Sequence, residues 1–194
     1  MQNSLIKQKK LLNMLFSFWW IFLVNKNKPY YSSTITRFYI DYEDKNGVSK
    51  YIKKLKKIWD QKDVVIVEGE KSRVGIGNDL FNNVKTIKRI ICPNINAFNK
   101  YNNIINSITR NVQKNKLILI ALGPTATLLA YDLYKLGYQS LDIGHIDIEY
   151  EWYLRKAKKK IKIENKFVLE AFGKDRFSRV KDKKYYDTII ERIY

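Results

Sequence analysis

Lys116–Trp152 reads KLILIALGPTATLLAYDLYKLGYQSLDIGHIDIEYEW. The apolar run Leu117–Leu122 stops abruptly at Gly123-Pro124. Thr125-Ala126-Thr127 then opens a helical pattern carrying Leu128, Leu129, Leu133 and Leu136, and Gly137 ends it. A second short apolar run, Ser140–Ile143, follows. Strand, glycine turn, helix, glycine stop and strand make up the βαβ unit of a parallel α/β sheet. Ligands in such sheets bind beyond the carboxyl ends of the strands. Those ends carry Gly123-Pro124-Thr125 and then Gly144-His145-Ile146-Asp147-Ile148-Glu149-Tyr150-Glu151-Trp152. The chain's single histidine and three carboxylates therefore fall where such folds do chemistry.

Working outward, Asp63–Val67 (DVVIV) is a continuous β-branched run of the kind that fills a central parallel strand. Three glycines follow in Glu68-Gly69-Glu70-Lys71-Ser72-Arg73-Val74-Gly75-Ile76-Gly77-Asn78-Asp79. A glycine-rich turn beside an arginine suits a phosphate, because backbone N–H groups donate and a guanidinium binds bidentately. The spacing fits neither common nucleotide-loop pattern, so a plain loop capped by Asn78 and Asp79 before a helix stays an equal reading. Thr86–Ile91 gives another strand, ended by Pro93, and Asn94 leads into a helix through about Arg110. Ser49–Trp59 predicts a short amphipathic helix capped by Ser49, with Ile52, Leu55, Ile58 and Trp59 inward. Thr34–Tyr42 (TITRFYIDY) predicts a strand or extended segment. Arg155–Lys166 predicts a continuing helix, and Gly173–Tyr194 a terminal one.

The 194 residues suffice for one substantial core, and the 45% hydrophobic content excludes a disordered chain. The formal charge of +18 admits a polyanion partner. Yet the lysines are scattered and no nucleic-acid motif stands out, so nucleic acid is not the expected partner. Cys92, the lone cysteine, excludes an internal disulfide and a cysteine metal cluster; at a strand end it reads as a buried thiol suited to a reducing cytoplasm. Leu11–Val24 is apolar after a basic start. It lacks a small-residue cleavage site and falls short of the ~20 residues a bilayer requires. It reads as an amphipathic or buried helix, leaving room for peripheral membrane contact.

Four blocks, Val64–Phe81 (VVIVEGEKSRVGIGNDLF), Arg89–Tyr101 (RIICPNINAFNKY), Leu117–Leu133 and Gly137–Trp152, together resemble the bacterial glycosyltransferases of the D-type fold, a former family of unknown function. That family includes glucosyltransferases of serine-rich adhesins. The resemblance implies an α/β, Rossmann-like parallel sheet flanked by helices. It also implies a UDP-sugar donor, a divalent metal (manganese, or magnesium in its place) and transfer of a hexose, expected to be glucose, to a glycan or glycoprotein acceptor. Members usually begin with a strand and a loop reading Arg-Phe-Gly-Asp-Gly-Glu. Nothing like it lies near this N-terminus, so the chain reads as N-terminally truncated. The expected layout is an apolar helix and basic flank over 1–33, the partial transferase domain over 34–172 and a basic tail over 173–194.

Under this reading the nucleotide-sugar contacts are Glu68, Gly69, Ser72, Arg73, Gly75, Asn78, Asp79, Gly123, Pro124 and Thr125. Asp147, Glu149 and Glu151 alternate, and an extended segment would project all three to one face. Asp147 and Glu149 are then expected to hold the metal, and Glu149, Glu151 and His145 to serve catalysis. Two further readings stand beside this one: a non-catalytic remnant or interaction subunit of a transferase, and a basic polyanion-binding protein.

Overall fold

Short β-branched runs flanked by polar turns become five parallel strands, and the alternation within each run decides which face of the sheet its side chains fill. The structure, a computed structural model, describes residues 34–168, 170–171, 177–178, 180 and 183–194. The expected helix at Leu11–Val24 and the 1–33 segment lie outside the described residues. In chain order the elements are α1 (Val48–Lys56), β1 (Asp63–Gly69), β2 (Thr86–Cys92), a 3₁₀ turn (Ala97–Lys100) and α2 (Tyr101–Asn111). There follow β3 (Leu117–Ala121), α3 (Pro124–Lys135), β4 (Gln139–Asp142), α4 (Ile146–Leu154), α5 (Lys183–Asp187) and β5 (Ile189–Arg192). The sheet order is β4-β3-β1-β2-β5, and every pairing is parallel. This is the expected Rossmann-like α/β architecture.

Val64 and Ile66 of β1, with Leu117 and Leu119 of β3, face a core shared with Ile52, Leu55 and Trp59 of the α1 region and with Trp152 of α4. Val65, Val67, Ile118 and Ile120 face the opposite core, built with Ile104 and Ile108 of α2 and Leu129 and Leu133 of α3. Both faces of the central strands are thus covered, which is why these strands read as unbroken apolar runs. Burying each such side chain contributes roughly 2 kcal/mol. Cys92 lies in the second core, and burial pushes its thiol up to about 12, as expected of a buried thiol.

Several local expectations are corrected. Thr34–Tyr42 forms turns and bends, not a strand; its two central amides are taken by a distant carboxylate and not by a neighbouring strand. Helix α1 is preceded by Gly47, and Ser49 lies inside it, with no side-chain cap. The segment after Asn78 and Asp79 is a series of turns, with no helix before β2. The expected helix over Arg155–Lys166 is absent. Helix α4 closes with Ala157 N–H donating to the Trp152 carbonyl (2.9 Å), Lys156 N–H to that of Tyr153 (3.0 Å), and Lys156 at φ +50°. That is a left-handed C-terminal cap, formed here without glycine. Helix α3 ends in the same motif, with Gly137 in its usual place: Tyr138 N–H donates to the Leu133 carbonyl and Gly137 N–H to that of Tyr134.

The C-terminal stretch is also not one helix. After the short α5 it forms β5, which pairs with β2 through Arg89 and Ile189, Ile90 and Glu191, and Ile91 and Arg192. The compact unit therefore runs from Thr34 to Tyr194, and the boundary expected at 172 falls inside it.

Candidate functional site

The chain passes from β1 to β2 in one direction, crosses back over β1 to β3, and continues to β4. The strand order reverses between β1 and β3, and a crevice opens at the carboxyl ends of such a pair. Glu68 and Ala121 are register partners there, so the glycine-rich loop after β1 and the Gly123 turn after β3 start side by side, about 4.8 Å apart at their roots.

Gly69 is tightly enclosed: a Cβ would lie 3.1 Å from both Asn94 Oδ1 and Ser72 Oγ and crowd them. Ser72 N–H closes the turn onto the Gly69 carbonyl at 2.9 Å. Arg73 follows with φ +49°. Its guanidinium donates to the Ser178 carbonyl at 2.8 Å and lies over the Phe177 ring. Gly123 is the opposite case. Its φ of +54° and ψ of −142° are disfavoured for L side chains, yet nothing lies within 4 Å of where its Cβ would be. The backbone is bare at the start of α3, with Pro124 as first helical residue and Thr125 buried behind it.

Of the other predicted loop residues, Glu68 and Asn78 turn inward, while Asp79 stays exposed and pairs with Lys56 at 3.3 Å. Glu68 is fully buried, pairs with the Arg89 guanidinium and accepts Val74 N–H at 2.6 Å. Burial raises its pKa, opposed by Arg89 and the Val74 amide. Asn78 donates to Asp147 Oδ1 (2.9 Å) and Glu151 Oε1 (2.7 Å), and Gly75 N–H also donates to Asp147 Oδ1 (2.9 Å). The Tyr150 hydroxyl donates to Asp79 Oδ1 at 2.6 Å and holds that carboxyl below its ordinary range. The β1 loop is thus pinned to α4 by its own polar side chains.

The acidic block is helical, not extended, and this overturns the single-face arrangement. Residues two apart on a helix do not face each other, whereas those four apart do. Asp147 and Glu151 accordingly share Asn78 and the buried Lys166 ammonium, which lies 2.6 Å from Asp147 Oδ2 and 3.2 Å from Glu151 Oε1. Glu149 is completely buried elsewhere; its Oε2 accepts the N–H groups of Tyr39 (2.8 Å) and Ile40 (3.0 Å). Burial raises its pKa, and Oε1 has no hydrogen-bond partner. Asp147 and Glu149 do not fit a divalent cation: they serve separate partner sets, one already neutralised by an ammonium. Among the described residues no group of three or more histidine, cysteine, aspartate or glutamate side chains is arranged to hold a metal ion. Glu151, with both oxygens engaged, and Glu149, held through Oε2 alone, sit in the interior as props of α4.

His145, by contrast, is partly exposed at the end of β4, immediately before α4. Its Nδ1 lies 3.2 Å from an Arg37 nitrogen. A guanidinium can only donate, so Nδ1 accepts, and the proton of the neutral ring sits on Nε2. Burial, then Arg37, lowers the imidazole pKa, which favours that neutral form. The basic lone pair is therefore occupied, and the remaining ring nitrogen is a donor.

Residues that sequence reasoning passed over complete the region. Arg37 chelates Glu170 at 2.9 and 2.6 Å. Thr36 stands so close to Gly144 that a Cβ there would meet Thr36 Oγ1 at 2.8 Å. Asp142 accepts both Gly144 N–H (2.9 Å) and the Thr127 hydroxyl (2.8 Å), tying the end of β4 to the first turn of α3. The one available signal was chain position: Asp142 ends a strand two residues before a glycine.

A parallel sheet flanked by helices, with glycine turns at its carboxyl edge, defines the class of Rossmann-like α/β domains. Comparison with known proteins narrows that class. The family described as glycosyltransferase GT-D fold matches residues 6–171. The chain belongs to that family. It is 48% identical over 163 residues to a probable glycosyl transferase Gly of Streptococcus gordonii, covering 84% of this chain and 24% of that one. It is 44% identical over 167 residues to glycosyltransferase GlyD of Streptococcus pneumoniae serotype 4, covering 84% and 20%. The chain thus spans a quarter or less of these curated relatives. A solved structure described as the highly conserved domain of unknown function 1792 with a distinct glycosyltransferase fold superposes with a TM-score of 0.81 at 44% identity, covering 87% of this chain and 61% of that one. A new glycosyltransferase of that domain type from Streptococcus sanguinis gives 0.80 at 46%, covering 84% and 60%.

Proposed function

We propose that this chain is the donor-binding domain of a glycosyltransferase that takes a hexose, glucose first among the candidates, from a UDP-sugar and passes it to a glycan or glycoprotein acceptor. The observation that carries the reading is Gly123. It holds a backbone conformation that side chains disfavour, with open space above it, at the head of α3 and beside the strand reversal. A bare backbone at a helix N-terminus suits a diphosphate, whose charge the helix amides and the positive end of the dipole stabilise.

Transfer leaves UDP, and negative charge grows on the leaving oxygen as the glycosidic bond breaks. In this reading the first turn of α3 and the Gly69–Arg73 turn receive that charge, with Ser72 and Arg73 at the donor side. Glu68 and Asn78 keep the turn in shape from within, and Asp79 ties it at the surface to Tyr150 and Lys56. Glu149, Glu151 and Asp147 fix α4 and through it His145. Manganese, or magnesium in its place, belongs to the same reading as the family's cofactor, but Asp147 and Glu149 are not assigned as its ligands and no step is routed through it. Among the described residues no helix is long and apolar enough to cross a membrane. A nucleotide-sugar donor and a free Cys92 both suit the cytoplasm.

The test is UDP release from UDP-glucose, UDP-galactose and UDP-N-acetylglucosamine, with glycan acceptors present, in manganese and in EDTA. Release from UDP-glucose above the other two supports the reading. A folded chain that neither binds nor cleaves any of them overturns it.

A further inference from the structure

At the carboxyl end of β4 a carboxylate of the chain itself sits among three nitrogen-bearing side chains. Glu170 takes two N–H donors from Arg37, at 2.9 and 2.6 Å. The Lys160 ammonium stands 3.4 Å from its Oε2, and His145 Nε2 lies 3.7 Å from its Oε1. Because Nδ1 of His145 accepts from Arg37, the neutral ring points its remaining N–H toward Glu170. A planar fork, an ammonium and an imidazole N–H thus converge on one anion, each of the three side chains partly open to solvent (25%, 33% and 37%).

The other carboxylates nearby among the described residues have partners of their own. Asp41 lies 3.2 Å from Lys160 and 4.0 Å from Arg37. Asp142 is engaged by Gly144 and Thr127, and Glu149 by the amides of Tyr39 and Ile40. With Glu170 withdrawn, Arg37 and Lys160 face, among the described residues, one contacting carboxylate, that of Asp41.

We propose that Arg37, His145 and Lys160 form a receptor for a phosphoryl group, and that Glu170 fills it as an internal stand-in anion until a phosphoryl group displaces it. A guanidinium fork fits phosphate as well as carboxylate, so the exchange swaps one charge-assisted pair for another and needs no rearrangement of β4. Resting on the donor-binding reading above, the group it takes is a phosphate of the nucleotide-sugar. His145 acts there as a hydrogen-bond donor to the phosphoryl oxygen, not as a base. The contact also makes Glu170 an autoinhibitory element: removing its charge favours the ligand.

The chain has one histidine, so its imidazole NMR signal reports on this place alone. The full chain is titrated with inorganic pyrophosphate, UDP and uridine. Pyrophosphate and UDP are expected to shift the His145 signal saturably, and uridine to leave it unmoved. Arg37→Ala and, separately, Lys160→Ala weaken both anions, the arginine change by roughly tenfold or more, as loss of a charge-assisted fork implies. Glu170→Gln tightens both. UDP binding that leaves the His145 signal unmoved, or Glu170→Gln weakening the anions, overturns the receptor while the donor reading stands. A His145 response to pyrophosphate in a chain that does not bind UDP keeps the receptor and removes the donor reading. A folded chain that binds neither removes both.

Discussion

Arg37 and His145, 108 positions apart in sequence, meet at 3.2 Å, and the arginine fixes which ring nitrogen of the histidine carries the proton. The pairing depends on the turns of 34–42 lying over the end of β4, where Thr36 packs against Gly144. Burial and Arg37 both disfavour the imidazolium. We expect the imidazole of the intact chain to titrate below the ordinary histidine value and to move upward in Arg37→Ala, read by pH titration of the single imidazole signal. The sign for stability follows. A folded-state histidine pKa below the unfolded one stabilises the fold at high pH, and that contribution is lost as pH falls through the unfolded value and then the folded one.

Glu170 acts in a lower window. Its hydrogen bonds to Arg37 hold its pKa at about 2 against an ordinary 4.5. Its contribution is fully present above pH 4.5 and disappears as pH falls toward 2. Glu68 and Glu149 carry raised values and work with the opposite sign, so comparing the intact chain with Glu170→Gln isolates Glu170. Denaturation midpoints of the two should differ most above pH 5 and converge near pH 2.

Lys166 is the next expectation. Its ammonium is 4% exposed and lies between Asp147 and Glu151. Replacing Lys166 by Met leaves the buried Asp147 carboxylate without its cation and Glu151 with Arg155 alone, 3.3 Å from its Oε2, and should cost ~3 kcal/mol, in the range found for broken buried pairs. Urea denaturation measures it. If Lys166→Met is neutral, α4 is not held by this network.

Two glycines should behave differently on change to alanine. At Gly144 the new Cβ meets Thr36 Oγ1 at 2.8 Å in a left-handed backbone (φ +46°), so both clash and strain apply. At Gly123 only strain applies, since the space is open; a cost of about 1–3 kcal/mol is expected. Thr36→Ala should therefore rescue part of the loss in Gly144→Ala and none in Gly123→Ala, as thermal midpoints would show.

The strands of the sheet were legible because VVIV, RIIC and LILIA are buried on both faces, and so was the Gly123-Pro124 helix start. The acidic block was not. In IDIEYEWYL acids and apolar residues alternate as in a strand, yet the helix is buried all round and each acid finds a partner far along the chain: Lys166, Asn78, or the amides of Tyr39 and Ile40. No local pattern carries such pairings. Lys166 is one lysine among many in KKKIKIENK, and Arg37 and Glu170 belong together only once 34–42 is folded over β4. Helix α4 ends on Lys156 in a conformation that usually signals glycine, so its stop was invisible. Strand β5 was read as helix because its partner, β2, lies about a hundred residues earlier.

The donor site is tested most directly by a calorimetric titration of the chain with UDP, set beside Gly123→Ala at a temperature where both are folded. The intact chain is expected to bind UDP saturably, one to one, and the variant to lose roughly tenfold or more, since the proposed diphosphate contact is the bare backbone at the head of α3. Equal binding by both chains, or none by the folded intact chain, would contradict it.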